Sequence, residues 1–244
     1  MTCIILAAGY ATRMYPLTLN FPKPLLEVGE KKIIDWLLDD IQSAGVERTI
    51  VISNHKFFNQ FKEWADTKTN VTVLDDGSTD NNNRLGAVKD IEFAIDKENI
   101  DDDLIILAGD NVLDFSFKGF IDYAKEKNTT CIMRHEQKDI AKLRKTGVIT
   151  IDNDDKVTSM EEKPEMPKSN WAVPPFYYYK KEDAKLIKEG INDGCGTDAP
   201  GSFISWLVKK RPVHAYLMKG NRYDVGSIEG YEKIKTEYKG ITIK

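Results

Sequence analysis

Residues 3–13 read Cys-Ile-Ile-Leu-Ala-Ala-Gly-Tyr-Ala-Thr-Arg. Cys3 to Ala7 is a short apolar run that stops at Gly9, which predicts a buried strand of a parallel sheet. No basic segment precedes it, so the run reads as a first strand and not as a signal peptide. Residues 8–31 hold Gly9, Pro16, Pro22, Pro24 and Gly29 and predict a long irregular loop. Loops of that length in a compact domain are functional or disordered, and the apolar content here argues against disorder.

Working outward, Lys32 to Ala44 predicts a helix, with Ile33, Ile34, Leu37, Leu38 and Ile41 on one stripe and Gly45 as its stop. A strand at 49–53, a helix at 55–65 and a strand at 71–74 follow. Residues 75–83 are turn-rich, and 84–96 predict another helix. Leu104 to Ala108 is a further buried strand ending in Gly109-Asp110, followed by a helix at 118–127 and a strand at 129–133. Beyond that the pattern changes to an antiparallel pair, 147–151 with 156–161, and one strand over 171–179. Helices at 182–191 and 200–209, a strand at 213–218 and a helix over about 227–238 complete the reading. Alternating strands and helices in the first half imply a parallel sheet. The expected fold is α/β: a Rossmann-like, mostly parallel sheet flanked by helices, with a smaller β/α part added. One domain over 1–244 is expected, its halves being about 1–135 and 136–244.

The 244 residues are 41% hydrophobic and 30% charged, and the formal net charge is −4. Such a chain has no overall attraction for polynucleotide phosphate, which excludes a general nucleic-acid binder. No apolar run reaches membrane-spanning length. Cys3, Cys131 and Cys195 are far apart and odd in number, as in a reducing compartment; a cytoplasmic protein is expected. Whether it forms a homo-oligomer is left open.

Loops leaving the carboxyl ends of parallel strands are where open α/β sheets bind ligands. Ala8 and Gly9 allow backbone N–H groups close to a phosphate. Arg13 can grip phosphate oxygens bidentately, and Lys23 adds a mobile charge. The alternative is a tight turn carrying two solvated basic residues. Neither G-K-[ST] nor G-x-G-x-x-G is present, which disfavours a P-loop and a nicotinamide dehydrogenase. Asp110 can reach a Mg²⁺ bridging nucleotide phosphates, or it is only an acid in a turn. Asp101-Asp102-Asp103 contains a D-x-D pattern but precedes its strand, so it reads as a solvated turn. His55, His135 and His214 show no ligand spacing.

Residues 5–26, I-L-A-A-G-Y-A-T-R-M-Y-P-L-T-L-N-F-P-K-P-L-L, closely resemble the signature of the sugar-phosphate nucleotidylyltransferases. The resemblance implies the nucleotidyltransferase fold, which is similar to that of GT-A glycosyltransferases. It implies that Leu6, Ala7, Ala8, Gly9 and Thr12 cradle the nucleotide. Arg13 and Lys23 would hold the triphosphate and the departing pyrophosphate. Asp110, together with Asp224 in the segment Tyr223-Asp224-Val225-Gly226, would bind Mg²⁺. Tyr10 departs from the family's small residue and would narrow the loop or stack on a ligand. Residues 159–179, S-M-E-E-K-P-E-M-P-K-S-N-W-A-V-P-P-F-Y-Y-Y, resemble thymidylyl- and uridylyltransferases acting on hexose 1-phosphates. Lys163 would then neutralise the attacking sugar phosphate and Glu162 would accept sugar hydroxyls. Gly147 would admit the sugar to its amide, with Asn111 and Val173 also at the sugar phosphate. The aromatic residues from Trp171 to Tyr179 are a stacking platform or alternating core. Asp198 is a helix N-cap or a sugar contact.

The same resemblance implies base recognition at Asn81 to Val88, where Gly86 would admit the base and Asn83 or Arg84 would read its edge. The family's Gln is missing, which keeps UTP and CTP beside dTTP. The expected activity is Mg²⁺-dependent transfer of a nucleoside monophosphate from an NTP to a sugar 1-phosphate, with release of pyrophosphate. The alternatives are cytidylyl transfer to phosphocholine or another non-sugar phosphate, and a non-catalytic nucleotide-sugar sensor.

Overall fold

A computed structural model describes residues 1–243, apart from the side chain of Asp224. The chain forms β1 (Thr2–Leu6), the hairpin β2 (Glu27–Val28) and β3 (Lys31–Lys32), α1 (Ile33–Ser43), β4 (Arg48–Ser53), α2 (Phe58–Ala65) and β5 (Val71–Asp75). Then come α3 (Ala87–Glu98), β6 (Leu104–Ala108), β7 (Asn111–Leu113), α4 (Lys118–Lys127), β8 (Thr130–Glu136) and α5 (Ile140–Leu143). Strands β9 (Gly147–Ile151), β10 (Val157–Glu162), β11 (Trp171–Val173) and β12 (Phe176–Tyr179) follow, with α6 (Lys181–Ala184) and α7 (Ile187–Asn192) after them. The last elements are α8 (Gly201–Leu207), β13 (Val213–Leu217), β14 (Arg222–Asp224) and α9 (Ile228–Glu237). The α/β class is as expected. No helix among the described residues is long and apolar enough to cross a membrane.

The chain divides into two compact units. One holds residues 1–84, 108–119 and 219–244; the other holds 85–107 and 120–218. In the first unit β1, β4 and β5 run parallel, Ile4 opposite Ile50 and Ile50 opposite Thr72. Cys3, Ile4 and Ile5 are fully buried, as an uninterrupted apolar run in a doubly covered strand requires. A cluster of Met14, Leu26, Val28, Ile33, Val112, Val225, Tyr231 and Ile234 fastens the segment after β1 to the β7–β14 ladder and α9. Each such side chain contributes about 1.5–3 kcal/mol when fully buried, so the loop is held by a core and not by its turns alone. Asp40 on α1 is buried and accepts the Phe117 N–H at 2.7 Å.

The second unit is built on antiparallel pairings. Strands β9 and β10 pair as expected, and β11 lies between β9 and β8. Strand β12 pairs with β6 and β8, while β13 runs parallel to β8. The single strand expected over 171–179 is two, because Pro174 and Pro175 supply no ladder N–H. Phe176 to Tyr179 are all buried, so both faces of β12 are core. Tyr179 meets Phe203 edge-on at 5.3 Å and Phe203 stacks on Trp206 at 5.7 Å. The expected solvated turn at 101–103 is in fact an anchor. Asp103 accepts the Tyr178 hydroxyl at 2.6 Å, the Lys181 N–H at 2.7 Å and the Lys180 ammonium at 3.1 Å.

Candidate active site

In the first unit the end of β1 is tied on both sides. The Gly109 N–H donates to the Leu6 carbonyl at 2.9 Å, and the Ala7 N–H donates to the Ile52 carbonyl at 2.9 Å. Asn54, fully buried, donates from Nδ2 to the Ala8 carbonyl at 3.1 Å and accepts the Phe57 N–H at 3.0 Å. With its carbonyls held, the loop leaves the N–H groups of Ala8, Gly9 and Tyr10 without an acceptor among the described residues. A Cβ built at Gly9 would meet no described atom within 4 Å. The glycine therefore leaves open space over three uncommitted donors, which is the shape of an anion cradle.

Tyr10 neither narrows this loop nor waits for a ligand. It is buried, its ring tilted against Phe57 at 6.3 Å, and its hydroxyl donates to the Ser78 carbonyl at 2.9 Å. Ala11 adopts the left-handed region, with φ 47°, and its carbonyl accepts the Thr18 hydroxyl at 2.8 Å. The chain then turns through Thr12–Met14, leaving Thr12 and Arg13 exposed. Arg13 has no ion-pair partner among the described residues.

Lys23 lies 2.8 Å from a carboxylate oxygen of Asp110, its side chain 6% exposed against 43% for Asp110. The other oxygen of Asp110 accepts the Asn111 Nδ2 at 2.8 Å. Asn111, expected among the sugar-phosphate residues, is buried in the first unit. It bridges Asp110 to Arg222, whose guanidinium donates to the Asn111 Oδ1 at 2.9 Å. Its amide thus braces the Asp110 carboxylate. The β7–β14 register sets the backbone of Asp224 opposite Asn111, one residue from Asp110; the Asp224 side chain lies outside the described residues. Asn83 closes its own turn. Its Oδ1 accepts the N–H groups of Thr79 and Asp80 at 3.0 and 3.1 Å, and its Nδ2 donates to the Thr79 hydroxyl at 2.9 Å. Its Oδ1 and one Nδ2 proton are thus taken up within the turn.

In the second unit four of the residues expected at the sugar phosphate come together on neighbouring strands. Gly147 on β9 faces both Glu162 on β10 and Val173 on β11, and Lys163 follows Glu162. The Glu162 carboxylate sits between two glycines: a Cβ at Gly147 would stand 3.1 Å from Oε2, and one at Gly201 would stand 2.2 Å from it. No hydrogen bond reaches the carboxylate from the described residues. Burial pushes its pKa up; neighbouring Lys163 pulls it down, and Asp198 pushes it up again. Lys163 itself has φ 49°, a region that costs a long side chain about 1–2 kcal/mol. Its N–H donates to the Thr146 carbonyl at 3.1 Å, and the Thr146 hydroxyl donates to the Val173 carbonyl at 2.9 Å. Strain held in place in this way is characteristic of functional positions.

Asp198 is not an N-cap. Helix α8 starts after Pro200 with no side-chain cap, and Asp198 lies 3.7 Å from the Lys163 ammonium. Gly86 has φ +91°, and a Cβ there would stand 2.5 Å from the Thr197 carbonyl. Its missing side chain thus admits the 197–198 backbone, whose carbonyls accept the N–H groups of Ala87 and Val88.

The family described as nucleotidyl transferase matches residues 2–240. The chain belongs to the nucleotidyl transferase family. This bears out the resemblance carried by residues 5–26. A protein of Sulfolobus acidocaldarius provisionally named mannose-1-phosphate guanyltransferase is 29% identical over 97% of this chain and 63% of its own length. UTP–glucose-1-phosphate uridylyltransferase AglF of Haloferax volcanii is 26% identical over 93% of this chain and 91% of its own. The chain spans about three fifths of the length of several curated relatives. The crystal structure of apo UDP-glucose pyrophosphorylase superposes with a TM-score of 0.83 at 20% identity, each chain covered to 97%; this establishes the shared fold.

Against the family's motifs, the residues that sequence reasoning overlooks are positional. Asn54, Thr146 and Arg222 hold a loop carbonyl, a strained lysine and an Asp110 neighbour in place. Asn54 carried a faint signal, standing between a strand and a helix where an N-cap belongs. The other two belong to pairings 27 and 111 residues apart, which no local pattern announces.

Proposed function

We propose that this nucleotidyl transferase moves a nucleoside monophosphate from an NTP to a sugar 1-phosphate. An oxygen of the sugar phosphate forms a bond to the α-phosphorus. The bond from that phosphorus to the oxygen of the β-phosphate breaks, and pyrophosphate departs with the electron pair. The nucleophile is already ionised, so no general base is required. Catalysis is then positioning and charge neutralisation. The single observation that carries the reading is the Lys23–Asp110 pair, whose acid follows Gly109, itself bonded to the end of β1 from which the uncommitted amides of Ala8 to Tyr10 lead off. It sets a cation, an acid and phosphate-seeking donors in one unit.

The amides cradle the triphosphate, and Arg13 with Lys23 take up charge on the leaving side. Asp110 and Asp224 would hold Mg²⁺. The fit rests on the Asp110 carboxylate, half-exposed and paired to a single ammonium, with hard oxygen donors of the kind that Mg²⁺ takes alongside phosphate and water. When bound, that ion neutralises phosphate charge. Lys163 meets the sugar phosphate and Glu162 the sugar hydroxyls. Relatives named for guanylyl and uridylyl transfer leave the base open, with dTTP, UTP and CTP favoured by the sequence. The test is pyrophosphate release from four NTPs and dTTP against several sugar 1-phosphates, with phosphocholine as a non-sugar acceptor. Release with no sugar phosphate, or equal release without Mg²⁺, refutes the reading.

A further inference from the structure

A pocket of about 490 Å³ opens in the second unit, and Glu162 is part of its wall. Met160, Cys195, Gly196, Ser202 and Trp206 form much of the rest of that wall. This volume falls within the range of small-ligand sites, about 300–1,000 Å³. It leaves room for a sugar ring and a substituent on it.

The polar groups of the lining are not equivalent. Glu161 is 2.5 Å from the Lys168 ammonium. Asp193 accepts the Trp206 indole N–H at 3.0 Å and the Lys210 ammonium at 2.9 Å. The Ser205 hydroxyl donates to the Gly201 carbonyl at 3.2 Å. Lys209 stands exposed in water at the rim, where its attraction for an anion is screened. Glu162 differs from all of these. It is partly buried, has no hydrogen-bond donor among the described residues, and sits where Gly147 and Gly201 each leave space for its carboxylate. The nearby Lys163 ammonium lies 3.7 Å from the Asp198 carboxylate and donates no hydrogen bond to Glu162. A carboxylate in that position calls for a donor from the ligand, and a cationic donor most strongly.

We infer that this pocket receives a donor-bearing, non-anionic substituent of the acceptor, and that the preferred acceptor is an amino-sugar 1-phosphate. The inference rests on the acceptor role proposed above for Glu162. An acidic substituent is excluded, because it would be set against an unpaired carboxylate.

Cys195 makes the pocket readable in the unmodified protein. It is the partly exposed cysteine of the three; Cys3 and Cys131 are fully buried. Alkylation of Cys195 by iodoacetamide at alkaline pH, followed by mass spectrometry, reports occupancy of the pocket. Glucosamine 1-phosphate, glucose 1-phosphate and glucuronic acid 1-phosphate are compared, with and without Mg²⁺ and a non-hydrolysable NTP. Glucosamine 1-phosphate is expected to slow labelling at least fivefold, glucose 1-phosphate less than twofold, and the glucuronic acid not at all. Turnover should rank the three acceptors in the same order. Turnover of all three without protection of Cys195 overturns the inference and leaves the proposed reaction standing. Best protection by the glucuronic acid overturns it as well. Protection in the expected order with no pyrophosphate release upholds the pocket's ligand class and refutes the reaction instead.

Discussion

Replacing Lys163 by glycine should make the protein more stable than replacing it by alanine, while both replacements abolish most activity. Lys163 is held at φ 49°, its N–H bonded to the Thr146 carbonyl. A side chain at a left-handed position costs about 1–2 kcal/mol. Alanine keeps that cost and glycine removes it. Glycine also gives the unfolded chain more freedom, which offsets about 0.4–1 kcal/mol of the gain. The net difference between the two variants is then about 0.5–1 kcal/mol in favour of glycine, or about 1–4 °C in melting temperature for a chain of this size. The Lys163–Asp198 pair is solvent-exposed on both sides and is lost equally in the two, so it does not enter the comparison. Urea denaturation with a common m-value, supported by calorimetry, measures the difference. Pyrophosphate release should fall by roughly 10²–10³ in both variants, as when one preorganised charge contact is removed. An alanine variant as stable as the glycine variant would show that the backbone is not strained in solution. Wild-type kcat/KM in either variant would remove Lys163 from the chemistry.

Asp110→Asn should fold yet lose roughly 10²–10³ in kcat/KM, with the shortfall not recovered by raising Mg²⁺; full activity would remove the metal assignment. Burial raises the Glu162 carboxyl above its ordinary pKa. Its ionisation therefore opposes folding: the contribution of this group to stability is fully present below the unfolded-state value and is lost as pH rises through the folded one. Glu162→Gln should flatten that decline between pH 4 and pH 8 in urea titrations, and an unchanged slope would refute the buried-carboxylate account. Gly86→Ala sets a methyl group against the Thr197 carbonyl at a positive φ. It should destabilise by about 1–3 kcal/mol, seen as a shifted urea midpoint, and a neutral result would show that the 197–198 backbone is not packed there.

Much of the fold was legible because strand and helix periodicity are short-range properties. The buried runs 3–7 and 104–108 and the amphipathic stripe of 33–41 appear where the residues predicted them. The misreadings share a cause. Pro174-Pro175 breaks a ladder that composition alone leaves whole. Helix 182–191 divides into α6 and α7, and β7 and β14 are too short to show a period.

The site was legible as a set of residue types but not as a set of partners. The gapped motif of residues 5–26 and the E-K-P turn marked the family, since a long ordered pattern survives in one dimension. Which groups are free and which are committed is decided by contacts far apart in sequence. Lys23 meets Asp110 across 87 residues, and Asn83 and Asn111 are drawn into hydrogen bonds of their own. Gly86 is required by the backbone of 197–198, and Glu162 finds its place between Gly147 and Gly201. Sequence by itself therefore determined the fold class and, through the resemblance of residues 5–26, the family, because an ordered local pattern is intrinsic to the chain. Tertiary structure decided which donors and acceptors remain open to a ligand, because that depends on how each buried polar group is satisfied once distant segments have closed upon it.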